Sequence, residues 1–121
     1  MPPQIVRYKL SPEELAHYAR SAFGDMAKIA VDIERGILAI GCRVHFQCRD
    51  ALVAEGSRVK NVWGASVFPG RIGEDRISFV STSVNPLLQP DNPTPEIVSP
   101  EIRNRVQEIA ERLLLVGERS V

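Results

Sequence analysis

The stretch MAKIAVDIERGILAIGCRV, Met26 to Val44, decides how the chain folds. Ile29, Val31 and Ile33 alternate with Lys28, Ala30, Asp32 and Glu34. That period of two marks a strand from Met26 to Glu34. Arg35-Gly36 supplies the turn, with glycine accepting the positive φ that tight turns need. Ile37 to Val44 reads as a second strand. It is apolar almost throughout, which places it centrally in a sheet with both faces covered. In a hairpin closed at Arg35-Gly36, Glu34 lies opposite Ile37 and Asp32 opposite Ala39.

Outward from this hairpin the chain punctuates itself clearly. On the N-terminal side, Ser11-Pro12-Glu13-Glu14 opens a helix: Ser11 caps, Pro12 fits the first turn, and Glu14 completes a capping box. Leu15, Tyr18, Ala19 and Ala22 then share one helical face, and Gly24 stops the helix. On the C-terminal side, Phe46 to Glu55 reads as a second helix with Gly56 as its C-cap. Val59 to Phe68 reads as a third strand and Arg76 to Val84 as a fourth, separated by the Pro69-Gly70 and Gly73 loop. The run NPLLQPDNPTPEIVSP follows, with five of the nine prolines between Pro86 and Pro100. Proline breaks helices and cannot donate to a ladder, so residues 85–99 are expected to form a long loop. Leu87, Leu88, Ile97 and Val98 give that loop something to bury. Ser99-Pro100-Glu101 repeats the capping logic, and Ile102, Val106, Ile109, Leu113 and Val116 form a stripe at steps of three and four. Leu114 and Leu115 widen this stripe beyond what one amphipathic face needs, which points to self-association as a homodimer.

The order α-β-β-α-β-β-α predicts one α+β domain over residues 1–121, with a mostly antiparallel four-stranded sheet packed with helices. A chain of 121 residues can bury a core without staples. Its 44% hydrophobic and 25% charged content is that of an ordinary soluble protein. No apolar run approaches a membrane span, and MPPQIVRYKLS has no apolar h-region, so a cytoplasmic protein is expected. Two cysteines give no disulfide framework, so both are expected as free thiols. The formal net charge is zero, with 15 basic and 15 acidic residues. Phosphate-backbone binding needs a positive excess, so nucleic acid is not an expected partner.

Four groups of residues carry potential chemistry. Asp32 and Glu34 lie on one side of their strand. Two carboxylates so placed could divide acid and base roles or hold a hard cation, with His45 as a further catalytic candidate. The plainer reading is the solvated face of a hairpin. Cys42, His45 and Cys48 form a C-x2-H-x2-C run of zinc-ligand type, but a closed site needs four ligands and the only other histidine, His17, lies on the first helix. Trp63-Gly64 could line a ligand cleft, or Trp63 could be core mass. Arg43 and Arg76 belong to a mild basic excess in the middle of the chain that could hold an anion if its members converge. No P-loop, dinucleotide fingerprint, HExxH or GxSxG is present.

The segments FGDMAKIAVDIERGILAIG, ALVAEGS, NVWGASVFP, EDRISFVSTSVNP and EIRNRVQEIAERLL resemble, in this order, a family of small bacterial proteins well represented in cyanobacteria and known only as a domain of unknown function. The resemblance runs from Phe23 to Leu114. It implies a stand-alone bacterial domain in the cytoplasm and transfers no catalytic residue. Members of that family carry acidic residues soon after the histidine that matches His45, where this chain has Phe46, Gln47 and Cys48.

The sequence thus predicts a non-catalytic interaction or ligand-binding module, acting as a homodimer and needing no cofactor. The alternatives are a metal-dependent enzyme using Asp32, Glu34 and His45, and a nucleic-acid-associated regulator of toxin–antitoxin type.

Overall fold

The computed structural model describes residues 3–85, 92 and 94–114. Strand β1 is Gln4–Val6, helix α1 Pro12–Ala22, β2 Ala27–Asp32, β3 Ile37–Cys42 and α2 His45–Ala54. Then come β4 at Val62–Val67, β5 at Ile77–Ser78 and α3 at Pro100–Leu113. The five strands form one antiparallel sheet in the order β1-β3-β2-β4-β5. The α+β class holds, with five strands rather than four.

The helices start where their caps say. Ser11 Oγ accepts from the Glu14 N–H at 3.1 Å, and Glu14 Oε1 accepts from the Ser11 N–H at 2.9 Å. The two bonds satisfy donors that the first turn leaves free. Ser99 does the same for α3 through the Ile102 N–H, at 3.3 Å. Helix α1 closes on Gly24, whose φ of +89° suits a residue without Cβ and whose N–H reaches Ala19 O at 2.8 Å.

The sheet is covered on both faces. Ile29, Val31, Leu38, Ile40, Trp63, Ala65 and Val67 face α1 and α3, joining Leu15, Val106, Ile109 and Leu113 in the larger core. The alternate residues Ala30, Ala39 and Val62 face α2, where they pack with Leu52, Cys42 and Cys48. Small alanines on that side let a single helix lie close to the strands. Strand β3 is covered on both faces, as its apolar run predicts, but the centre of the sheet is β2, which pairs β3 on one side and β4 on the other.

Three further details depart from the sequence reading. The predicted fourth strand ends at Ser78, after which, among the described residues, an isolated bridge joins Val80 to Glu96. Strand β1 pairs with β3 through Gln4↔Ile40 and Val6↔Leu38 and adds the fifth strand. Leu114, read as widening the α3 stripe, is buried in the chain's own core together with Leu113. Leu87, Leu88, Leu115 and Val116 lie outside the described residues. Among the described residues no helix is long and apolar enough to cross a membrane.

Candidate functional site

Asp32 ends β2 and pairs with Ile37, not Ala39, so the turn runs through Ile33, Glu34, Arg35 and Gly36. The longer turn folds the Asp32 carboxylate over its own backbone. Oδ1 accepts from the Glu34 N–H at 2.9 Å and the Arg35 N–H at 3.0 Å. Asp32 is therefore fully buried, not on a wet face, and Oδ2 has no hydrogen-bond partner. Glu34 is exposed and accepts from Asn61 Nδ2 at 2.8 Å. The two carboxylates do separate structural work: one caps a turn, the other ties the turn to the segment before β4.

His45 opens α2 on the same face of the sheet. Its Nε2–H donates to Ala65 O at 2.8 Å, with Ser66 Oγ 3.5 Å from the same nitrogen. Burial pushes the imidazole pKa down to about 4; the Lys28 charge lowers it too, and the bond to Ala65 O works in the opposite direction. The ring is neutral at pH 7 and its proton is committed to a carbonyl. Asp32 lies opposite Val62, while His45 reaches Ala65, three residues further along β4. At about 3.3 Å per strand residue that is roughly 10 Å. Asp32, Glu34 and His45 do not converge on a reacting atom.

Cys42 and Cys48 are joined in a disulfide with a Cα–Cα distance of 5.6 Å. This corrects the expectation of free thiols and removes both sulfurs as thiolate zinc ligands. Only Arg43 and Val44 separate β3 from α2, so the chain doubles back and sets the inner face of α2 over the end of β3. Both cysteines are buried in the core under α2. Among the described residues no group of three or more His, Cys, Asp or Glu side chains is placed to hold a metal ion.

Trp63 is buried in the larger core, and its Nε1–H has no hydrogen-bond partner. The close approach that Gly64 permits comes from the chain itself. A Cβ on Gly64 would lie 2.5 Å from Ser81 Cβ. Beside it the buried Asn85 side chain acts as a missing strand. Its Oδ1 accepts from the Gly64 N–H at 2.8 Å, and its Nδ2 donates to Gly64 O at 3.2 Å and Pro95 O at 2.9 Å. Arg76 is also spent internally, on Gly73 O at 3.0 Å and on Glu111 at 2.6 Å. Arg43 is exposed on the link between β3 and α2 and does not join it.

The sequence candidates therefore scatter, and the structure gathers a different set. A groove of about 560 Å³ runs between β5 and α3. Arg71 lies 3.9 Å from the centre of the Phe68 ring, and Arg103 lies 4.6 Å from that of Phe79. Arg103 also pairs with Glu96 at 3.1 Å, and Asn104 and Gln107 complete the α3 wall. Stacking on a ring fixes a guanidinium plane; Arg103 spends Nη1 on Glu96 and on Ile97 O at 3.3 Å, so Arg103 Nη2 and the Arg71 edge are what a ligand can meet. Phe68 and Arg71 are three residues apart, a spacing readable in sequence. Phe79 and Arg103 are joined only by the fold.

The family described as "Protein of unknown function (DUF5674)" matches residues 4–113, which span every strand and helix described above. The chain belongs to the DUF5674 family. No curated protein and no solved structure matches it.

Proposed function

We propose that this DUF5674 chain is a non-catalytic binding module whose ligand, an extended peptide segment of mixed charge, lies in the groove between β5 and α3, where Glu74, Asp75 and Glu96 stand beside Arg71 and Arg103. The observation that carries this reading is the pair of ring-stacked guanidinium groups, Arg71 on Phe68 and Arg103 on Phe79, in one groove. Planar, pre-oriented guanidinium forks suit carboxylates. Beyond Phe79 the outer side of the sheet is already paired, since Ile97 N–H donates to Phe79 O and Ser81 N–H to Pro95 O, both at 2.9 Å. A ligand is thus confined to the Ile77–Ser78 stretch and the α3 wall. The dispersal of Asp32, Glu34 and His45 supports binding over catalysis.

The test is a titration of the labelled protein with a peptide of alternating glutamate and lysine, followed by amide chemical shifts. Saturable shifts at Phe68, Phe79 and Arg103 that disappear in Arg103→Ala are expected. Absent shifts, or shifts unaltered by that substitution, would refute the proposal.

A further inference from the structure

A cationic site, independent of the groove, lies at the β2–β3 turn. Arg105 and Arg112 are seven residues apart on α3, two helical turns, and so leave the same side of the helix. Arg105 Nε donates to Ile33 O at 2.9 Å, and Arg112 Nη2 donates to Gly36 O at 2.9 Å. Each guanidinium is thereby pinned to one shoulder of the turn. Gly36, at φ +71°, is buried beneath them, and its N–H is committed to Asp32 O at 3.0 Å. A Cβ built there would sit 3.1 Å from Arg112 Nη2 and 3.7 Å from Arg105 Nη2. The two nitrogens are therefore at most about 7 Å apart. One tetrahedral oxyanion can bridge that span with charge-assisted bonds of about 2.8 Å on either side.

We infer that Arg105 and Arg112 form a clamp that takes a phosphate group on the outer, solvent-facing edges of their guanidinium groups. The local charge suits an anion. Glu108 pairs with Arg105 through Nη1 at 2.7 Å, leaving its Nη2 free, and Arg112 pairs with no carboxylate among the described residues. A guanidinium has five N–H donors, of which Arg112 uses one here. The other charges of the turn are engaged. Glu34 is bonded to Asn61, and Arg35 is paired with Glu55 at 3.0 Å. The Asp32 carboxylate is turned inward and bonded to the Glu34 and Arg35 N–H groups. The clamp is pre-oriented by backbone contacts, so binding costs little side-chain entropy.

The experiment is calorimetric titration with inorganic phosphate and, in a second arm, with O-phosphoserine. Wild type, Arg105→Gln, Arg112→Gln and the double variant are compared, each with a thermal melt to establish folding. Saturable binding, weakened at least tenfold by each single substitution and lost in the double, is expected. Tighter binding of phosphoserine than of phosphate assigns the site to a phosphorylated partner; the reverse assigns it to the free ion. Should the double variant not fold, Arg112→Lys keeps the charge and removes the fork, and must itself weaken binding. Non-saturable binding, or affinity unchanged in the folded variants, overturns the clamp.

Discussion

Lowering the pH through the range in which an exposed histidine takes up its proton should destabilise this fold through His45. The imidazole is buried, with Nε2–H donating to Ala65 O, and its pKa is lowered from an ordinary 6.5 to about 4. The unfolded chain protonates near 6.5, so between there and pH 4 it binds more protons than the folded chain. Stability is then fully present above pH 6.5, falls as the pH drops, and loses no more from this residue below about 4. At about 1.36 kcal/mol per pH unit the loss is roughly 3 kcal/mol, a large share of a small domain's stability. His45→Gln isolates the effect, because a glutamine amide can donate to the same carbonyl and does not titrate. Urea denaturation of both proteins from pH 7.5 to 4 gives the two stability curves. The carboxylates common to both cancel in their difference. The wild type should lose about 3 kcal/mol relative to His45→Gln across the window, and the His45 ring proton should titrate near pH 4 by NMR. A difference that stays flat, or a ring that titrates near 6.5, refutes the reasoning.

Asp32→Ala removes the acceptor of two turn N–H groups and should cost about 3 kcal/mol by urea denaturation, while Asp32→Asn keeps an acceptor and should cost under about 1. Equal losses for the two variants would show that the turn does not depend on Oδ1. Gly64→Ala forces a Cβ against Ser81 and should lower Tm by roughly 5–10 °C, with part of the loss recovered by adding Ser81→Gly. Cys42 and Cys48 should resist alkylation in the native protein and take up two labels after reduction, read by mass. The reduced protein should be about 2 kcal/mol less stable, as the short closed loop implies.

The parts of the fold readable in the sequence are those fixed by neighbours in sequence. Ser11, Pro12 and Glu14 specify their helix within four residues, and Ser99 with Pro100 specify theirs. The alternation through Ile29, Val31 and Ile33 marks β2 unaided. Strand β1 is three residues long, too short for a period to show, and exists because the β3 edge is there to pair with. Strand β5 reads longer in sequence than it is, because after Ser78 the chain leaves β4 to meet Pro95–Ile97. The register of the hairpin turned on one side chain. Asp32 captures two N–H groups and so lengthens the turn, which moves its own pairing from Ala39 to Ile37. The disulfide and the Phe79–Arg103 stack depend on helix placement, which no local spacing encodes.

What the interior does with its reactive residues narrows where function can lie. Asp32, His45, Asn85 and Arg76 are the residue types that catalysis uses, and each is buried with a backbone group as partner. A buried backbone N–H or C=O left unpaired costs about as much as a lost hydrogen bond, so these side chains complete the fold where the sheet ladder stops. Part of the chemistry left over is the set of guanidinium groups on α3. One hundred degrees per residue sets Arg103 and Arg105 on opposite flanks of the stripe formed by Val106, Ile109 and Leu113. Arg103 turns toward β5 and stacks on Phe79; Arg105, with Arg112 two turns from it, turns toward Gly36. A single helix, anchored by its apolar stripe, thus holds guanidinium groups at two separate places on the sheet. Long arginine side chains can bury their stems along such a stripe and present their heads at its rim. Substituting one flank should therefore leave binding at the other unchanged, because the two share only the rigid stripe between them.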